Sequence, residues 1–169
     1  ADQWRIGKNS FPRGNYGIYA NLSYKGFSAN ILFQGATSRD MYIEDVVRGQ
    51  STGGYTMVYP YQLDYWMPDN TDAKFPRIAM NSSVNGNNNY VTSDFWLVNG
   101  RYIRLKSLQL GYDFRSVLLK NIKWLYKCQV VLSGQNLFTI SPATKYGFDP
   151  ENGSTNNYDY PMQRVYAIS

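Results

Sequence analysis

From Tyr16 to Tyr24 the even positions are Tyr, Ile, Ala, Leu and Tyr; from Phe27 to Phe33 the odd positions are Phe, Ala, Ile and Phe. Alternation with a period of two marks a half-buried strand. The apolar phase switches across Lys25-Gly26, as it must across a two-residue hairpin turn. Folded there, Tyr24 faces Phe27, Leu22 faces Ala29, Ala20 faces Ile31 and Ile18 faces Phe33, all on one sheet face. The opposite face carries Tyr19, Asn21, Ser23, Ser28, Asn30 and Gln34. Strands are therefore predicted over 16–24 and 27–36. Each is about 9–10 residues, the length a tilted strand needs to cross a bilayer core.

Residues 37–100 lack such alternation and are rich in Asn, Gly, Asp and Pro, culminating in Asn85-Gly86-Asn87-Asn88-Asn89. They read as one long excursion, out of place in a compact soluble domain but ordinary on the outer side of a membrane barrel. A third strand is predicted over 101–114, where Leu108, Leu110, Tyr112 and Phe114 alternate with Gln109, Gly111 and Asp113. Its first half breaks phase: Arg104 and Lys106 fall in the apolar register. Either a bulge intervenes or that half stands above the membrane. Leu118, Ile122 and Leu125 in 116–126 have helical spacing. A fourth strand follows over 127–138 and a polar loop over 139–160, and 163–169 begins a fifth strand. The connections alternate short and long, the asymmetry expected between periplasmic and extracellular rims.

Composition sharpens this picture. Hydrophobic residues are 43% and charged residues only 17%, against about 25% charged in ordinary soluble domains. Small uncharged polar residues supply the polarity, and 16 Tyr with 4 Trp suit aromatic girdles at membrane interfaces. The net charge of +5 is spread singly along the chain, without the basic stripe of a nucleic-acid binder. The absence of His removes Ser-His-Asp and Cys-His catalysis and the usual zinc sites. Cys128, alone in an apolar stretch, reads as a small apolar residue. No run approaches the 18 or so apolar residues of a spanning helix, and the N-terminus is not a signal peptide.

With the strands placed, several motifs resemble one family. DYWMPDNTDAKFPR (Asp64–Arg77) is similar to a loop signature of SusC/RagA-type TonB-linked outer-membrane transporters. SDFWLVNGRYIRLKSLQLGYDF (Ser93–Phe114), SGQNLFTIS (Ser133–Ser141), GFDPE (Gly147–Glu151) and YPMQRVYAIS (Tyr160–Ser169) follow in the family's order, and IGKNSFPRGNYGIYANLSYKGFSANILFQG (Ile6–Gly35) precedes them. The resemblance covers essentially the whole chain. It implies an all-β fold: an antiparallel transmembrane barrel of about 22 strands, of which this chain supplies about five at the C-terminal end, with extracellular loops near 37–100 and 139–160. It further implies import of oligosaccharides or peptides across the bacterial outer membrane, energised by TonB through an N-terminal part and assisted by a SusD-like surface lipoprotein. The family's plug domain and earlier strands are not in this sequence, and the family's last strand usually runs on to a terminal aromatic. The chain is accordingly expected to be a segment of a larger protein.

Tyr65, Trp66, Phe95 and Trp96 are the candidate substrate-binding residues, as aromatics that could stack on sugar rings. They lie in or beside family signatures while substrates vary among members, which favours packing of the loop on the rim or on a lid. Asp69, Asp72, Asp149 and Glu151 raise a carboxylate pair or a calcium loop. A glycosidase pair needs carboxyls held about 5–10 Å apart, and the spacing is not that of an EF-hand. Asp149-Pro150-Glu151-Asn152-Gly153 is most simply a turn, and Asp40, Glu44 and Asp45 a solvated face. No catalytic residue, metal ligand or cofactor is expected. The rivals are a secreted carbohydrate-binding β-sandwich, whose apolar strand face would meet a second sheet, and a glycosidase.

Overall fold

The computed structural model describes residues 10–44, 58–78, 88–117, 119–122, 124–152, 160 and 162–169. Asp45, Asn85–Asn87, Leu118, Gly153 and residues 6–9 of the first motif lie outside these. The described chain forms strands β1 (Asn15–Tyr24), β2 (Phe27–Ala36), β3 (Asp40–Tyr42), β4 (Leu97–Asn99), β5 (Tyr102–Asp113), β6 (Gln129–Ile140) and β7 (Val165–Ile168). It divides into two compact units. One comprises Gly14–Thr37, Tyr102–Ile140 and Met162–Ser169; the other comprises Ala1–Arg13, Ser38–Arg101 and Ser141–Pro161.

The first unit is an antiparallel sheet in the order β1-β2-β5-β6-β7. Its β1–β2 hairpin turns on Lys25 and Gly26, both at positive φ (44° and 86°), the geometry a type I′ turn requires. The pairs Tyr24↔Phe27, Leu22↔Ala29, Ala20↔Ile31 and Ile18↔Phe33 are those the alternation dictates. Across the sheet the same face continues through Tyr112, Leu110 and Leu108 on β5 and Val130, Leu132 and Gly134 on β6.

A bulge settles the phase break in β5. The ladders skip Lys106: Leu32 pairs with Ser107 and Phe33 with Leu105 on one side, while Leu105 pairs with Phe138 and Ser107 with Gln135 on the other. One extra residue swaps the faces of everything before it. Ile103 and Leu105 thereby join the apolar face and Arg104 moves to the polar one. There Arg104 is buried, and its Nε donates to Thr139 Oγ1 at 2.7 Å. β6 yields at the same level, with Asn136 at φ 53°.

Much of the apolar face is open: Ile18 is 57% exposed, Leu22 61%, Phe27 63% and Leu132 49%, so among the described residues these side chains are not covered by the second sheet that the sandwich reading requires. A contiguous exposed apolar face of this kind marks a surface that meets a partner or a membrane. Near the hairpin turn Phe27 and Tyr112 rings sit 4.4 Å apart, Tyr112 meets Phe114 at 4.7 Å, and Lys25 Nζ lies 5.2 Å from the Tyr24 ring centre. Aromatic rings with a cation at one end of an apolar band match a membrane interface. At the other end Tyr16 crosses Gly35, where a Cβ would collide with its ring, to donate to the Tyr102 carbonyl at 3.1 Å. Gly35 here makes room for a ring that staples two non-adjacent strands.

The helical spacing of 116–126 reads as a short amphipathic turn or helix, and the described residues there form the short helix α1 (Phe114–Val117) followed by turns. Four residues make a corner between strands; their anchor is Arg115, whose guanidinium donates to the carbonyls of Leu119, Lys120 and Leu125. The excursion over 37–100, by contrast, is not bare loop. With Ser141–Pro161 it forms the second unit, which has its own core of Met41, Ile43, Phe75, Tyr90, Trp96, Val98, Ala143 and Phe148. β3 and β4 pair antiparallel inside it. Its buried cation is Arg39, which donates from Nε to the Ser10 carbonyl at 3.2 Å and from its two terminal nitrogens to the carbonyls of Pro150 and Asn152. The guanidinium fork thus satisfies three backbone acceptors and ties two sequence-distant stretches together.

Candidate functional site

A concavity of the second unit is built on the segment from Asp64 to Arg77. Backbone bonds close it: Phe75 N donates to Asp64 O at 3.0 Å, Trp66 N to Phe75 O at 2.9 Å and Asn70 N to Met67 O at 2.8 Å. Asp64 finishes the job with its side chain, accepting from Asn70 Nδ2 and from Lys74 N, both at 3.3 Å. Short polar side chains that bond local backbone are the usual means of fixing such turns. Asp64, Asn70 and the buried Phe75 therefore hold the loop's shape, and Trp66, Lys74 and Arg77 remain exposed on it.

The groove so formed holds about 600 Å³ and is lined by Trp66, Ala73, Lys74, Phe75, Pro76, Arg77, Asn89, Tyr90, Ser93 and Phe95. That volume falls within the range of small-molecule sites, about 300–1,000 Å³. The four aromatics chosen from the sequence separate here. Trp66 (41% exposed) and Phe95 (48%) are on the groove wall with open ring surface. Tyr65 is half-buried, bridges to Phe75 and gives its carbonyl to Asn70. Trp96 is a correction: at 1% exposure it is core, not a stacking platform. Its ring stacks on Tyr90 (6.2 Å, 13°) and meets Phe95 edge-on (4.9 Å, 89°), and its Nε1 donates to Asn89 O at 3.3 Å.

The electrostatics are one-sided. Among the described residues Lys74 and Arg77 line the groove and no carboxylate does. Lys74 Nζ donates to Tyr146 Oη at 2.8 Å and lies 5.0 Å from the Tyr146 ring centre, a cation–π contact. Beneath, burial pushes the Tyr61 phenol well above its ordinary range; Tyr59 adds to this, Gln62's hydrogen bond opposes it and Tyr146 adds again. Burial raises Tyr90 too. Both phenols stay neutral, so the layer under the groove contributes no negative charge against the two cations.

The acids do not assemble into a centre. Asp69 and Asp72 are exposed on the turn, and Asp149 Oδ1 accepts from Glu151 N at 2.9 Å while Asn152 N reaches Asp149 O at 3.1 Å. That is the turn its sequence suggests. Among the described residues no group of three or more His, Cys, Asp or Glu could hold a metal ion. No helix among them is long and apolar enough to cross a membrane, which bears on helices alone.

No family model matches the chain. Among characterised proteins, TonB-dependent receptor P3 of Formosa agariphila is 30% identical over 99% of this chain, and TonB-dependent receptor P39 of the same organism is 26% identical over 83%. The chain spans only 17% and 13% of their lengths. Among solved structures, the RagAB peptide importer in its open-open state aligns over 97% of the chain with a TM-score of 0.68 and 26% identity, again covering 17% of that chain. The RagAB peptide transporter gives 0.72 at 24% identity and shares the fold. The chain is a segment of a SusC/RagA-type transporter barrel. Its five open-edged strands are a stretch of that barrel wall, and their largely open apolar face is the side such a wall turns to lipid. In this SusC/RagA-type segment the sequence marked Arg104 only as a break in phase and missed Arg39, which offers no signal because its partners are backbone carbonyls.

Proposed function

We propose that the protein containing this chain imports nutrients, oligosaccharides foremost, across the bacterial outer membrane in a TonB-dependent manner. Five adjacent strands with an uncharged apolar face and a polar reverse face carry this reading. Such a sheet suits lipid on one side and a water-filled lumen on the other. The named relatives support the import class. TonB acts through the N-terminal part, and a SusD-like lipoprotein serves as the lid. The segments 37–100 and 139–160 lie on the extracellular side. The protein's own work is binding and gating, without covalent chemistry. Oligosaccharide is favoured by the open aromatic wall of Trp66 and Phe95, flat apolar surface on which sugar rings stack. Peptide is the second reading, because the aligned structures are peptide importers.

The test is uptake by intact cells. Fluorescently labelled oligosaccharides are expected to accumulate in the periplasm, to stop accumulating when TonB is deleted, and to be absent from a strain lacking this transporter. Accumulation that persists without TonB would refute the mechanism. Uptake of labelled peptides with none of sugars would move the substrate to the second reading.

A further inference from the structure

We infer that the groove between Trp66 and Phe95 recognises an anionic sugar unit: a pyranose carrying a carboxylate or a sulfate ester. The inference rests on the oligosaccharide reading above and adds to it a charge requirement. Three observations lead to it. Trp66 and Phe95 present open aromatic surface within one groove of about 600 Å³. Among the described residues two cations, Lys74 and Arg77, line the same groove and no carboxylate does. Moreover, the segment's shape is held by other residues, namely Asp64, Asn70 and Phe75. The exposed Trp66 and Arg77 are thus left over from the structural work.

The chemistry is complementary. A sugar ring has an apolar face for an aromatic side chain, and its hydroxyls can bond Asn89 and Ser93, which also line the groove. A carboxylate or sulfate at the ring's edge would meet the Arg77 guanidinium, whose planar fork bonds oxyanions in pairs. Lys74 supplies a point charge already oriented by Tyr146 Oη, which reduces the ordering cost on binding. A neutral sugar would gain the stacking and bring no counter-charge to the two cations. An anion without a ring would gain only exposed ion pairs, which are weak and screened by salt.

The intact transporter in lipid nanodiscs is titrated with three sugars of equal length by calorimetry: oligogalacturonate, a sulfated galactan oligosaccharide and neutral galactan. The first two are expected to bind at least tenfold more tightly than the third and to weaken as salt is raised. The double variant Lys74→Gln/Arg77→Gln, at two exposed positions, is expected to remove that preference, bringing the two anionic sugars to the affinity of the neutral one. Trp66→Ala is expected to weaken all three. Equal affinity for all three sugars in the native protein would overturn the charge requirement and leave oligosaccharide import standing, as would a preference that survives the double variant. Failure of every sugar alongside binding of an acidic peptide would overturn the inference together with the oligosaccharide reading. A preference confined to one anion names the source, carboxylate or sulfate.

Discussion

The substitution Ile31→Arg is expected to destabilise the barrel by about 2–4 kcal/mol, whereas Asn30→Arg, one residue earlier, is expected to cost little. Ile31 sits mid-strand on the apolar face, paired with Ala20 and Leu108. A guanidinium there meets hydrocarbon near the bilayer centre and must drag water or headgroups inward. Asn30 points the other way; its Nδ2 donates to Gln109 Oε1 across β5, so an arginine there has polar neighbours. The check is reversible unfolding of the intact transporter in lipid by guanidinium, with folded yield in the outer membrane as a second readout. Similar costs for the two variants would mean that the faces are not lipid and lumen.

Trp96→Ala should have the larger local effect, about 3–5 kcal/mol, as for other large aromatic core residues. Trp96 contacts Tyr90, Phe95 and Phe75 and is nearly inaccessible; its carbonyl also accepts from Ile43 N at 2.9 Å. Hydrogen exchange reads this directly. The amides of Ile43 and Gly100, the latter bonded to Arg39 O at 2.7 Å, should lose protection by about 100-fold or more. Amides in the centre of β5 should be unaffected, because the core in question belongs to the other unit. A uniform loss across both units would show that they unfold as one.

How much of this was legible in the sequence differs by unit, for a physical reason. In the sheet, every residue's environment is set by its parity, so Tyr16 to Phe33 dictate both pairing and turn. The slip at Arg104 and Lys106 announced a bulge, though only the ladders place it at Lys106. In the other unit the core is assembled from Met41, Phe75, Trp96 and Phe148, brought from separate stretches with no period to betray them. Long-range packing of that kind has no local signature. The candidate site shows the same division. Aromatic type alone nominated Tyr65, Trp66, Phe95 and Trp96 together, yet neighbours in sequence point to opposite environments. Phe95 lines a groove and Trp96 fills a core because the short helical turn at Asp94–Trp96 rotates successive side chains apart.

The most direct measurement places a nitroxide in turn at each position from Ile18 to Tyr24 and from Phe27 to Phe33 of the transporter in a bilayer. Collision rates with oxygen and with a water-soluble nickel chelate are then recorded. The account predicts a two-residue period, with Ile18, Ala20, Leu22, Ala29 and Ile31 favouring oxygen and Tyr19, Asn21, Ser28 and Asn30 favouring nickel. An absent period, or one of the opposite phase, would contradict it.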